Sequence, residues 1–464
     1  MVFSTSIFIY LFLPITLLIY YIAPKKSKNF IILLSGLVFY SWGEPIYVVV
    51  MLISTMIDYF AGLAMNHFEG KKLPRKLCLI VSVVMNLGLL GVFKYSGFIA
   101  ENINAIAGSQ IIDINNMNFF GIDFLPMNML PIGISFFTFQ SMSYTIDLYM
   151  GNVKVQKNPI SFAAFVTLFP QIVAGPIVRY DDVAKELDDR TITIDLIYDG
   201  IIRFIIGLSK KVLIANSIGA LWTAVKSTDI SQVSVVSSWL GILAFTFQIY
   251  FDFSGYSDMA IGLGKMMGFH FPENFNYPYL SKSISEFWRR WHITLGAWFK
   301  DYIFYPISLG THFQKFSQKC RAHMNRYYAA TIPGIFALFA VWFGNGIWHG
   351  AEWKYIIYGL YYYVIMVLGM LLEPVFAAFC RKCNIDRNAS WYHIMQTART
   401  FILVNIGMLI FRARNLNVAI AMLCSVFRPW NSKVSFWQIA FDQGGLFKLD
   451  FLLIVFSIIL LYLI

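Results

Sequence analysis

The sequence predicts an all-α, polytopic integral membrane protein, and three observations predict it. Of its 464 residues, 58% are hydrophobic and 13% charged, roughly half the charged share of a soluble domain. The apolar residues gather in long blocks, near the ~20 residues that cross a ~30 Å hydrocarbon core at ~1.5 Å per residue. Period-two alternation, the mark of a membrane β-barrel, is absent.

The elements follow in chain order. Block 4–23 is apolar except for its hydroxyls. It lacks a basic leader and a small-residue cleavage site, so it reads as a first span rather than a removable signal. Blocks 30–42, 46–65, 77–93, 131–150, 162–178, 195–218, 239–267, 332–343, 355–372 and 451–464 continue the pattern. They predict about 11 spans with some shorter pieces, in a single domain over 1–464, since no domain-sized linker, low-complexity tract or repeat interrupts them.

The net charge of +11 invites a nucleic-acid reading. The placement of the charge argues against it: Lys25, Lys26 and Lys28, then Lys71, Lys72, Arg75 and Lys76, then Lys315, Lys319, Arg321 and Arg326, and finally Arg381, Lys382 and Arg387 all sit in short loops between apolar blocks. Such loops face the cytoplasm by the positive-inside rule. An even number of crossings between the first two keeps both on that side, and the one span ahead of Lys25 puts the N-terminus outside. The same counting puts the junction between blocks 332–343 and 355–372 on the non-cytoplasmic side.

Two polar islands break the apolar pattern. Segment 247–307 carries Asp252, Asp258, Glu273, Arg289, Arg290 and His292. Segment 344–350 reads GNGIWHG and carries Asn345, Trp348 and His349. An ionisable group at membrane depth costs about 2.5–3.5 kcal/mol on insertion scales, and such groups mark functional sites. Pro272, Asn274, Asn276 and Pro278 interrupt the helix over 271–280. Irregular backbone at that depth requires burial in protein or a water-filled cavity. Ser283-Ile-Ser-Glu286 then reads as a capping box opening a helix. Along that helix Trp288, His292, Leu295, Phe299 and Tyr302 recur at spacings of three and four, so they share a face.

From the residues alone, His349 is either a general base for a hydroxyl or a structural histidine of the bundle. His292 is either a second acid/base or a packed histidine on an aromatic face. Asp252 and Asp258, six apart, do not share a helix face and read as separate ion partners. Cys380 and Cys383 form a CxxC with no second half, read as incidental. Gly262 and Gly264 with Gly268 miss the dinucleotide spacing and read as helix packing. There is no hydrolase elbow, P-loop or H-E-x-x-H. His67, His270, His312, His323 and His393 have no partners at metal-ligand spacing, so no metal is expected. Without an evident nucleophile, a histidine base acting on an acceptor hydroxyl is the economical mechanism.

Five segments, 1–21, 131–149 (PIGISFFTFQSMSYTIDLY), 169–180 (FPQIVAGPIVRY), 247–307 and NGIWHG, resemble the membrane-bound O-acyltransferase (MBOAT) family. Within it they resemble the bacterial polysaccharide branch typified by alginate O-acetyltransferase. The resemblance implies about 11 spanning helices around a central funnel in the bacterial plasma membrane, with membrane lipid around it. It maps the family's near-invariant histidine onto His349 and a branch-associated one onto His292. It further implies a cytoplasmic acyl-CoA donor, most simply acetyl-CoA, used as substrate with no tightly bound cofactor. The acceptor is an exported polysaccharide, reached through a separate extracytoplasmic SGNH-hydrolase-like partner. A related branch instead passes D-alanine from a carrier protein to teichoic acid.

On that basis Trp288, Trp291, Arg289, Arg290, Asn345 and Trp348 are the expected substrate contacts. Arg289 and Arg290, with Lys210 and Lys211, would meet the donor's anionic part unless they merely snorkel. A tunnel is expected, with His292 in its wall and its narrow point near His349. The rivals are a transporter or export channel, which would show paired helix breaks in two halves, and an inactive scaffold. Intact His349 and His292 argue against the scaffold.

Overall fold

The computed structural model describes residues 1–113, 130–227 and 235–425. Among them the secondary structure is helical, apart from one isolated antiparallel bridge between Phe275 and Trp291. Six helical segments are long and apolar enough to cross a membrane: Val48–His67, Lys72–Ala107, Ile194–Ser227, Arg326–His349, Trp353–Lys382 and Ser390–Arg412. Phe8–Ile22 and Leu416–Ser425 are shorter apolar helices. The all-helical membrane architecture expected from composition is what the described residues form. These eight helices do not by themselves establish a count of eleven, and block 451–464 lies outside the described residues.

The described residues pack as two compact units. The first comprises Met1–Leu208 and Tyr256–Glu273. It contains α1 (Leu13–Ile22), α2 (Lys28–Ser41), α3 (Val48–His67), α4 (Lys72–Ala107), α5 (Ile134–Met150), α6 (Pro159–Val166), α7 (Tyr180–Asp188) and α8 (Ile194–Ser209). Lipid offers no hydrophobic drive for helix association, so small residues and polar side chains hold such bundles. Asp58 on α3 is fully buried, and its Oδ1 accepts from Ser82 Oγ at 2.5 Å and Asn86 Nδ2 at 2.8 Å, both on α4. Ser82 Oγ also reaches Thr145 Oγ1 on α5 at 3.0 Å. Nothing in the apolar periodicity singles out Asp58; its two partners come from another helix.

Block 162–178, expected as a span, is not one. Helix α6 stops at Val166, and the chain turns through buried residues to α7. Pro170, Gly175 and Pro176 deny it a continuous helix. Near the chain's return, Gly200 and Gly262 touch backbone to backbone: a Cβ on either would lie 2.6–2.7 Å from the other's carbonyl oxygen. This bears out the packing reading of Gly262. Arg203 on α8 bridges Asp258 at 2.7 Å and Glu273 at 2.6 Å.

The second unit comprises Ser209–Gly255 and 274 onward. It contains α9 (Asn216–Ser227), the part of α10 (Val235–Met266) that ends at Gly255, α11 (Ile284–Arg290), α12 (Ile293–Phe299), α13 (Tyr305–Leu309), α14 (Thr311–His323), α15 (Arg326–His349), α16 (Trp353–Lys382), α17 (Ser390–Arg412) and α18 (Leu416–Ser425). Lys211 pairs with Asp252. The two aspartates therefore serve different cations, as their spacing implied. Helices α15 and α16 meet through glycines: a Cβ on Gly359 would lie 2.3 Å from the Trp342 carbonyl oxygen, and one on Gly346 would lie 2.6 Å from that of Tyr355. Cys380 is buried and Cys383 exposed, both free.

Candidate active site

Ser283 opens α11 as expected, its side chain accepting from the Glu286 N–H at 3.1 Å. The capping box is only half formed. Glu286 accepts from the N–H of Lys282 at 2.9 Å rather than from that of Ser283, and its other oxygen pairs with Arg290 at 2.9 Å.

The continuous helix expected from Trp288 to Tyr302 does not form. Helix α11 ends at Arg290, Trp291 is extended, and His292 adopts φ 46°, ψ 53° before α12 begins at Ile293. The apolar spacing runs straight through the break, which is why periodicity alone did not show it. The cause lies across space. Residues 274–276 run antiparallel to 290–293, with Asn276 N–H donating to the Arg290 carbonyl at 2.9 Å and Ile293 N–H to the Asn274 carbonyl at 3.0 Å. The proline- and asparagine-rich stretch, expected to be irregular, is the partner that pulls residues 291–292 out of helix.

His292 is 3% exposed. Its Nδ1 lies 3.1 Å from Asn274 Oδ1, while Nε2 is buried and has no hydrogen-bond partner among the described residues. Its ring meets Phe253 edge-on at 4.8 Å and Trp348 at 5.9 Å between centroids. Trp348 in turn packs against His349 at 5.0 Å.

His349 closes α15, at the junction ahead of α16 where the sequence put it. Tyr358 at 5.6 Å and Phe411 at 5.1 Å meet its ring edge-on. Aromatic walls of this kind exclude water, and a drier site strengthens every charge interaction inside it. The structure therefore brings His292, Trp348 and His349 into one chain of ring contacts. Phe253, Tyr358 and Phe411, which complete the walls, come from three other helices and carry no local signal.

The remaining expected contacts divide. Asn345 is buried on α15, and its Oδ1 has no donor among the described residues. Trp288 packs against Trp342 at 4.8 Å and Tyr362 at 5.0 Å, beside the histidine cluster through Tyr358 at 6.3 Å. Trp291 is buried elsewhere, among Phe275, Tyr279 and Phe287. Arg289 is exposed, and Arg290 is engaged by Glu286.

Residues 135–319 match the family model described as MBOAT, membrane-bound O-acyltransferase family. A Pseudomonas putida protein named "Probable alginate O-acetylase AlgI" is 39% identical over 429 residues, covering 92% of this chain and 80% of that protein. A Helicobacter pylori peptidoglycan O-acetyltransferase is 31% identical over 91% of this chain and 79% of its own length. A Bacillus subtilis teichoic acid D-alanyltransferase is 32% identical over 62% of this chain and 70% of its own. At 39% identity over 92% of its length to one such protein, this chain belongs to the membrane-bound O-acyltransferase family, and it is an acyltransferase enzyme.

Proposed function

We propose that this enzyme moves an acetyl group from cytoplasmic acetyl-CoA across the bacterial plasma membrane for O-acetylation of an exported or cell-surface polysaccharide. The identity with alginate and peptidoglycan O-acetylating proteins over more than nine-tenths of the chain supports the acceptor class. The observation that carries the chemistry is the end of α15, where His349 sits beside Trp348 and among Tyr358 and Phe411. An imidazole there can take the proton from an attacking hydroxyl. The hydroxyl oxygen bonds to the thioester carbonyl carbon, the C–S bond breaks, and the proton held by His349 passes to the departing thiolate. His292 orients the reacting group. Asn345 and Trp348 line the site, and Trp288 borders the acyl chain. An extracytoplasmic SGNH-hydrolase-like partner carries the acetyl group onward to the sugar.

The test is transfer of label from radiolabelled acetyl-CoA, with and without the extracytoplasmic partner, by wild type and His349→Ala. Wild type should release free CoA and acetylate the partner or polymer. The variant should insert normally and lose about 10²–10⁴-fold in rate, the usual worth of a general base. A near-normal His349→Ala would remove that residue from the mechanism. Label taken only from a D-alanyl carrier protein would move the reading to D-alanylation.

A further inference from the structure

His292 occupies the N-cap position of α12, yet its side chain caps nothing. A helix start leaves its first N–H groups without intrahelical acceptors, and a side-chain oxygen ordinarily meets them. Here Asn274, eighteen residues upstream, does so instead. Its backbone carbonyl accepts from Ile293 N–H at 3.0 Å, and its Oδ1 accepts from Thr294 N–H at 3.3 Å and Thr294 Oγ1 at 2.9 Å. The same Oδ1 faces His292 Nδ1 at 3.1 Å.

That sharing has a chemical consequence. A backbone N–H can only donate, so the Asn274 atom facing Thr294 N–H must be the amide oxygen and not the nitrogen. Oxygen can only accept, so His292 Nδ1 must carry a hydrogen. In the neutral imidazole the other nitrogen is then the acceptor. Nε2 is the buried atom with no partner among the described residues.

We propose that Asn274 is a positioning residue for acyl transfer: it holds His292 as the Nδ1–H tautomer, so that Nε2 faces the site as a hydrogen-bond acceptor beside the base His349. A neutral His292 so held cannot donate a hydrogen bond to the thioester oxygen. Proton-accepting histidines elsewhere are oriented the same way, by an acceptor on the far ring nitrogen. The proposal rests on the acyltransfer reading above. The side chains that meet the His292 ring are Phe253 and Trp348, and the titratable group whose charge reaches it is His349.

The tautomer is measured on the intact wild-type protein, labelled with ¹⁵N- and ¹³C-histidine in detergent or nanodiscs, with His292→Ala identifying the resonance. The expected spectrum at neutral pH shows a protonated Nδ1 and a bare Nε2. A proton on Nε2 would overturn the proposal whether or not the protein transfers acetyl groups, and failed transfer by wild type would count against the function alone. Three kinetic results add to this. Asn274→Leu should lower the transfer rate about 10–100-fold, as loss of the outer partner of a metal-bound histidine does. In a His292→Ala background the same substitution should cost nothing further, because both act through one group. Asn274→Asp keeps the acceptor and the cap but adds negative charge, which favours the imidazolium. Its activity should survive, with the acidic limb of the pH–rate profile moved to higher pH. Multiplying losses in the double variant, or an unmoved limb in Asn274→Asp, would reduce Asn274 to a structural cap.

Discussion

His292 is held in the left-handed region, where a residue with a Cβ carries about 1–3 kcal/mol of strain. Glycine adopts that conformation freely. His292→Gly should therefore be about 1 kcal/mol more stable than His292→Ala, while both lose the imidazole and share the lowered rate that follows. Thermal unfolding in detergent reads the order, and an alanine variant at least as stable would show that no strain is stored there. The residue that matters was visible in the sequence, as an ionisable group in an apolar helix. Its backbone was not, because a left-handed turn leaves no trace in the spacing of Trp288, Leu295 and Phe299. Asn274 was visible only as one of several helix breakers; that its amide reaches Thr294 and His292 is a matter of folding.

The helix pair α15 and α16 carries the GNGIWHG island, and here glycine spacing becomes geometry. Gly359 approaches the Trp342 carbonyl so closely that an added Cβ would sit 2.3 Å from its oxygen. Gly359→Ala must push the helices apart. Overpacking of this kind costs about 1–3 kcal/mol, so a lower melting temperature is expected. Activity should fall too, since α15 ends in His349. A variant unchanged in both would show that the interface yields without moving the site. Trp288 on α11 makes a second test, packed as it is on Trp342 and Tyr362. Close-packed interiors leave almost no room for an extra methylene. Trp288→Ala should raise the rate with propionyl- or butyryl-CoA relative to acetyl-CoA. An unaltered chain-length preference in competition assays would remove Trp288 from the acyl path.

Across the whole chain, the arrangement in the membrane is the property most exposed to test. Basic segments 25–28, 71–76 and 315–326, the last expected as a loop but mostly in α14, should face the cytoplasm, and Met1 the outside, by the positive-inside rule. Single cysteines placed in those segments of an otherwise cysteine-free protein should react with an impermeant maleimide only after the membrane is opened. Labelling in intact cells would reverse the side assigned to His349. The proposed transfer needs that side, because acetyl-CoA is cytoplasmic and the polymer is not.

Composition and block length by themselves determined that this is an all-helical membrane protein, because lipid admits only chains whose backbone polar groups are satisfied within helices or closed barrels. The cost of burying an imidazole in an apolar chain likewise marked His349 and His292 before any coordinates. Tertiary structure alone decided that Arg203 joins Asp258 to Glu273, and that Asn274 meets the ring of His292. Each depends on contacts between residues far apart in sequence, and hydrophobic periodicity records which face is buried, not what it is buried against.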